Sequence, residues 1–182
     1  VKALINENSF AKGYIYEPFA GTGTTIFASD QLGYSTFYSE INPVLRFLID
    51  TKIEIQTLPK EKRILLCQQL SEHDDIFVRS LQCEKNVKLD KTYKLVFGSS
   101  TYFPKETFDT ILRLKTYIES LNDDLIKRIL DIAVFSCLIP VSYLKKQGDL
   151  RFKTAKELSK DNVNFKELLC QRISIIKEDI CS

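Results

Sequence analysis

Residues 14–43 read YIYEPFAGTGTTIFASDQLGYSTFYSEINP, and the order of elements in that stretch decides the fold. Tyr14-Ile15-Tyr16 is a short β-prone run. It stops at Glu17-Pro18, because proline has no N–H to give to a central ladder. Gly21-Thr22-Gly23-Thr24-Thr25 is a glycine turn. Ile26, Phe27 and Ala28 then open a helix, which Gly33 closes from the position just past its end. Tyr34–Ile41 (YSTFYSEI) is rich in β-branched and aromatic residues and predicts a second strand. Asn42 caps the following helix, Pro43 takes its first position, and Leu45, Leu48 and Ile49 form its buried stripe. Strand, glycine turn, helix, strand is the first βαβ unit of a doubly wound sheet.

The chemistry of this unit lies in its loop. Gly21 and Gly23 let the backbone approach a ligand that a Cβ would push away. The helix beginning at Thr24 aims its free N–H groups and its dipole toward the same place. Glu40, at the carboxyl end of the second strand, can accept two hydrogen bonds from a ribose 2′,3′-diol, since a carboxylate is acceptor-only. A nicotinamide-cofactor fingerprint needs a third glycine where this chain has Ile26, and a phosphate-cradling P-loop needs Gly-Lys-Ser/Thr, which is absent. The plain alternative is a turn and cap that simply join strand to helix.

The run EPFAGTGTT followed by QLGYSTFYSEINP resembles the S-adenosyl-L-methionine (AdoMet) binding region of the amino-group DNA methyltransferases, which modify adenine N6 or cytosine N4. Their pattern is approximately D-P-F-x-G-S-G-T-T, a helix ending in L-G, and a strand ending in an acidic residue and often I-N-P. By that resemblance Glu17 stands near the methionine amino group. Pro18, Phe19, Ala20, Gly21, Thr22 and Gly23 shape the methionine end of the pocket. Glu40 holds the ribose, Ile41 lies against the adenine, and Thr24, Thr25 and Asn42 complete the cofactor-binding set. Glu17 for Asp and Thr22 for Ser keep the charge and the hydroxyl. The resemblance covers Ala3 to about Phe152 and is specific between Tyr14 and Pro43.

The same family carries a catalytic [DNS]-P-P-[YFW] motif, which accepts hydrogen bonds from the target amine and stacks on the flipped-out base. This chain has no Pro-Pro at all. Asn42-Pro43-Val44 starts a helix after strand two, and Ile139-Pro140-Val141 lacks the second proline and the aromatic residue. After Ile41 the only strand-like run is Thr92–Phe97 (TYKLVF), too little for the five to seven strands or so of a doubly wound core. YFPKETFDTILRLKTYIESLNDDLIKRILDIAVFS resembles the helical insertion that some members place between cofactor and catalytic motifs. The chain begins with Val1 and contains no methionine, so processing or truncation is expected to have removed its start. A fragment, or one half of a split enzyme, is therefore expected. A second chain or missing segment would carry the catalytic half, and the isolated chain would be inactive. Two other readings stay open: a fragment of an RNA guanine-N2 methyltransferase, and a non-catalytic subunit that keeps the AdoMet fold for assembly.

Outward from this region the pattern becomes helical. Pro59 starts a helical run with Ile64, Leu65, Leu70, Phe77 and Leu81. Pro104 opens another with Phe108, Ile111, Leu112, Ile118 and Leu121. Asn122 is expected to cap a third, which runs to Pro140 and forms an antiparallel hairpin with the second. A last helix is expected over Phe165–Asp179. The expected fold is thus α/β: a partial Rossmann-like AdoMet methyltransferase core over residues 1–57, then a mainly helical insertion or lid over residues 58–182.

The totals bound the partners. Apolar residues make up 44% of 182 and charged residues 27%, as in an ordinary globular protein. No run of about 18 apolar residues exists to span a membrane, and no leader points to secretion, so a cytoplasmic setting is expected. Five cysteines without CxxC spacing and the single His73 offer no set of ligands at zinc-site spacing. Cys67 and Cys137 sit among apolar residues as small buried hydrophobes, and the thiols are expected reduced. His73, in the polar SEHDD break, is expected to be exposed. Between Pro140 and Lys160 six Lys/Arg face two acids. Lys145, Lys146, Arg151 and Lys153 in this expected loop would suit a DNA phosphate backbone, or would simply be solvated.

Overall fold

A computed structural model describes residues 1–7 and 13–181. The sequence predicts a polar connector over Glu7–Gly13, and most of it, residues 8–12, lies outside the described residues. The protein is mixed α/β and mostly helical, with a few short strands. It divides into two compact units, residues 1–57 and 58–182.

In the first unit the order is α1 (Lys2–Glu7), β1 (Tyr14–Glu17), α2 (Thr24–Asp30), β2 (Ser35–Tyr38) and α3 (Pro43–Thr57). β1 and β2 pair in parallel, from Tyr14 opposite Ser35 to Glu17 opposite Tyr38. A parallel pair needs a crossover, and α2 supplies it. Ala20, Ile26 and Ile49 form a small buried cluster, with Tyr38 and Ile53 packed against it. The sheet's other face is open: Tyr14, Tyr16 and Phe37 are exposed, with the Tyr14 and Phe37 rings 5.2 Å apart. Asn42 caps α3 by accepting the Val44 N–H at 2.9 Å.

The second unit contains α4 (Lys60–Ser71), α5 (Ile76–Leu81), α6 (Val87–Phe97), α7 (Lys105–Ser120), α8 (Asp124–Leu138), β3 (Leu144–Gln147), β4 (Asp149–Phe152), α9 (Ala155–Leu158) and α10 (Phe165–Cys181). α10 packs on α4 and α8, and α5 on α7. Leu70, Ile76, Leu112, Leu114, Ile118, Leu130 and Leu169 are fully buried between them. Lys115 reaches across the α7–α8 pair to Asp131 at 2.9 Å. Cys137 is fully buried, and all five thiols are free. Cys181 Sγ lies 2.7 Å from Cys67 Sγ, at the end of α10.

Five expectations need correction. Cys67, expected to be buried, is only half-buried. Thr92–Phe97 is the end of α6 rather than a strand. The Asn86 side chain accepts the Leu89 N–H, and Lys94 pairs with Asp90 one turn back at 2.7 Å. A cap at Asn86 and the helical turn it starts outweigh six β-prone residues with no neighbouring strand among the described residues. The cap of α8 is Asp123, one residue beyond Asn122; its carboxylate accepts both the Leu125 and Ile126 N–H groups at 2.9 Å. The stretch expected as a basic loop over residues 140–160 holds an antiparallel hairpin. Leu144 pairs with Phe152, and Gly148 turns the chain at φ 76°. Thr154 and Glu157 follow it with a reciprocal capping box on α9. His73 is half-buried, with Nδ1 2.9 Å from the Tyr117 hydroxyl.

Candidate functional site

The glycine loop is stitched to the exit of β2 by main-chain bonds. The Ser39 N–H donates to the Glu17 carbonyl at 2.9 Å, and the Ala20 N–H to the Ser39 carbonyl at 3.1 Å. Glu17 turns its own carboxylate back to accept the Phe19 N–H at 3.1 Å. Ala20 is buried, and its carbonyl accepts the Gly23 N–H at 2.8 Å, which closes the turn.

Glu40 holds this loop directly. One of its oxygens accepts the Gly21 N–H at 2.7 Å, and the other accepts the Asn42 N–H at 2.7 Å. Both bonds are charge-assisted. Each oxygen keeps a further lone pair, so the carboxylate can still take hydroxyl donors side by side. Gly23 stands at φ 87°, and a Cβ there would meet the Phe27 ring at 2.8 Å and Ile49 at 3.2 Å. The turn is therefore fixed by backbone conformation and by packing together. Because Gly23 is the N-cap of α2, no side chain caps the first turn of that helix.

The expected residues gather on an open ledge. Glu17, Gly21, Thr25 and Glu40 are half-buried, and Ala20 and Gly23 are buried. Pro18, Thr22, Thr24 and Asn42 are exposed. Phe19 and Ile41 are 87% and 98% exposed, so both apolar side chains flank the loop without a partner surface. Lys52 was not foreseen. From α3 its Nζ reaches the Thr22 carbonyl at 3.4 Å and lies 5.5 Å from the Phe27 ring centroid. Its signal was the helical spacing from the buried Ile49, three residues earlier. A cavity of about 540 Å³ in the same unit sits at the other end of α2, among Phe27, Asp30 and Gly33. Among the described residues of the ledge, no hydrogen bond pairs a nucleophile with a base.

In the second unit the basic residues divide in two. Glu157 is the hub: Arg151 forks onto both its oxygens at 2.8 and 2.9 Å, and Lys145 adds a bond at 2.8 Å. These cations and the Thr154 N–H hold its carboxyl far below the usual range. Lys153 is only 10% exposed, with Nζ on the Pro140 and Ser142 carbonyls and on Asp161. The ammonium groups of Lys146, Lys156 and Lys160 have no partner among the described residues, and all three line a cleft of about 520 Å³ with Lys145, Lys153, Glu157 and Asp161.

A second feature escaped sequence reading. A half-open cavity of about 710 Å³ is walled by Tyr93, Phe97, Tyr102, Phe103, Phe108 and Phe152, with Lys115 and Asp131 also lining it. The aromatic-rich run from Tyr93 to Phe108 was its trace. Burial raises the Asp131 carboxyl, and the Lys115 ammonium opposes that. Among the described residues no cluster of His, Cys, Asp and Glu could hold a metal ion, and no helix is long and apolar enough to cross a membrane. No family model matches the sequence, and no curated protein and no solved structure matches it either.

Proposed function

We propose that the ledge from Glu17 to Asn42 binds AdoMet, and that the chain is the cofactor-binding portion of a site-specific DNA methyltransferase acting on an exocyclic amino group. On this reading β1, α2 and β2 are the opening of a Rossmann-like methyltransferase sheet. The single observation that carries it is the Glu40 carboxylate, held two residues past the second parallel strand by the Gly21 and Asn42 N–H groups. A vicinal diol would use the lone pairs those bonds leave. The space beside Gly21 is open, with nothing within 4 Å of where a Cβ would stand, whereas Gly23 is required by Phe27 and Ile49 within the unit.

In such a site Glu40 would orient the ribose, Glu17 would attract the methionine ammonium, and Ile41 would offer an apolar surface to the adenine. Bound AdoMet supplies an electrophilic methyl group on a sulfonium. The chain's own residues would bind and orient the cofactor; the Pro-Pro-aromatic motif that would accept hydrogen bonds from a target amine is not among them. Labelled AdoMet should bind the purified chain, and Glu40→Gln should weaken that binding about 10- to 100-fold, as expected for losing charge-assisted bonds to a diol. The chain alone should transfer no methyl group to DNA. Absence of binding at saturating AdoMet would end the proposal.

One observation favours a second reading, a non-catalytic subunit that uses the unit for assembly: the exposed Tyr14, Tyr16 and Phe37 on one face of a two-stranded parallel sheet. Parallel sheets are normally covered on both faces. Size exclusion with and without a candidate partner separates the two, since only this reading requires a stable complex in the absence of cofactor binding.

A further inference from the structure

The cleft beside the β3–β4 hairpin divides its cations by whether an internal acceptor already holds them. Arg151 and Lys153 are consumed: one forks onto Glu157, and the other is nearly buried on two carbonyls and Asp161. Lys145 shares Glu157. Lys146 on the hairpin, Lys156 on α9 and Lys160 just after it line one cleft, and their ammonium groups have no partner among the described residues. The cleft is lined by five lysines against two acids, and those acids are already neutralised from within.

We propose that Lys146, Lys156 and Lys160 contact the phosphodiester backbone of duplex DNA, while Arg151 and Lys153 act as positioning residues that hold the hairpin and α9 in register beneath them. The proposal rests on the DNA-substrate reading above and assigns it residues. The charge distribution carries it. A lysine already bonded to an acid releases little on meeting a phosphate, whereas a free, hydrated ammonium displaces one condensed counterion per contact. Phosphate contact of this kind reads no base sequence.

Fluorescence anisotropy of a labelled duplex of about 20 base pairs, titrated across salt, tests it. The wild-type chain should bind two unrelated duplexes equally. The triple variant Lys146→Ala/Lys156→Ala/Lys160→Ala should bind at least about tenfold more weakly at low salt. The slope of log affinity against log salt should fall by roughly 2 to 3, one unit or slightly less per lost contact. Its melting temperature should not change, because the three ammonium groups make no internal bond. Arg151→Ala should lower the melting temperature and weaken binding with the slope unchanged. A triple variant with the wild-type slope overturns the assignment. A slope loss of about one unit in Arg151→Ala overturns the division of roles. Tighter lysine-dependent binding of single-stranded RNA overturns DNA as the partner. Titrating AdoMet into the same samples keeps the two proposals apart. Cofactor binding without DNA binding sinks the cleft alone, and the converse sinks the ledge alone.

Discussion

The two units keep their order in different ways. In residues 1–57 three residues make the buried cluster, and the aromatic side chains Tyr14, Tyr16, Phe19 and Phe37 stand in solvent. In the second unit α4, α5, α7, α8 and α10 pack around a run of fully buried leucines and isoleucines. The first unit relies on hydrogen bonds that tie a loop to a carboxylate, and the second relies on packing. The difference teaches where the sequence is spent on stability and where it is spent on holding a geometry.

The largest effect that could break this contrast is a cavity substitution. Leu130→Ala removes a fully buried side chain from between helices and should cost up to about 5 kcal/mol in denaturant unfolding. Ile49→Ala in the first unit should cost nearer 2 kcal/mol, because the thin, open surroundings can collapse into the gap. Equal losses would mean that the first unit is packed as tightly as the second.

Next in size is the glycine turn. Gly23→Ala adds a Cβ 2.8 Å from the Phe27 ring at a left-handed backbone position, and should cost about 1–3 kcal/mol. Gly21→Ala meets nothing within 4 Å and bears only the conformational strain, about 1 kcal/mol. Melting temperatures of the two variants check the order. If Gly21→Ala is the worse, the Glu40 contact governs the loop more than packing does.

Which parts were legible follows the same division. The βαβ order could be read because glycines, a proline and a cap punctuate it at Gly21, Gly33, Asn42 and Pro43. The direct bond from Gly21 to Glu40 was not legible, since no local pattern states which backbone N–H a carboxylate 19 residues away will take. In the second unit the long helices announced themselves by period. α6 was missed because its last six residues have β composition while its cap lies upstream at Asn86. The basic stretch was legible as charge but not as structure. Which lysines are free depends on where Glu157 and Asp161 come to rest, and that is set by the hairpin register.

A smaller effect concerns helix starts. α8 begins under the Asp123 carboxylate, whereas α2 begins at a glycine with no side-chain cap. Asp123→Ala should therefore cost about 1 kcal/mol, with the α7–α8 pair the part that loosens. Hydrogen exchange at Leu125 and Ile126 should rise in the variant, while the first turn of α2 should exchange readily even in the wild type. Protection of that turn equal to α8's would contradict the uncapped geometry.

The smallest effect is a pH slope confined to the second unit. Burial lowers the His73 pKa below 6.5, and the Arg79 guanidinium lowers it further, against weaker upward pulls from Glu72, Asp75 and Asp74. From α7 the Tyr117 hydroxyl faces its Nδ1. The unfolded chain therefore binds a proton more readily than the folded one. The imidazole's contribution is fully present above the unfolded pKa and is lost as pH falls from about 6.5 through the folded value. Glu157 acts elsewhere on the scale: its depressed pKa stabilises above the unfolded carboxylate value, near 4.3, and fails only below that. Unfolding midpoints of wild type and His73→Gln, compared at about pH 7.5 and about pH 5.5, should differ in their pH dependence in this window. The wild type should lose stability on acidification and the variant should not. Parallel curves would show that the His73 ring is solvated in both states, and that the polar break between α4 and α5 is as open as its composition suggested.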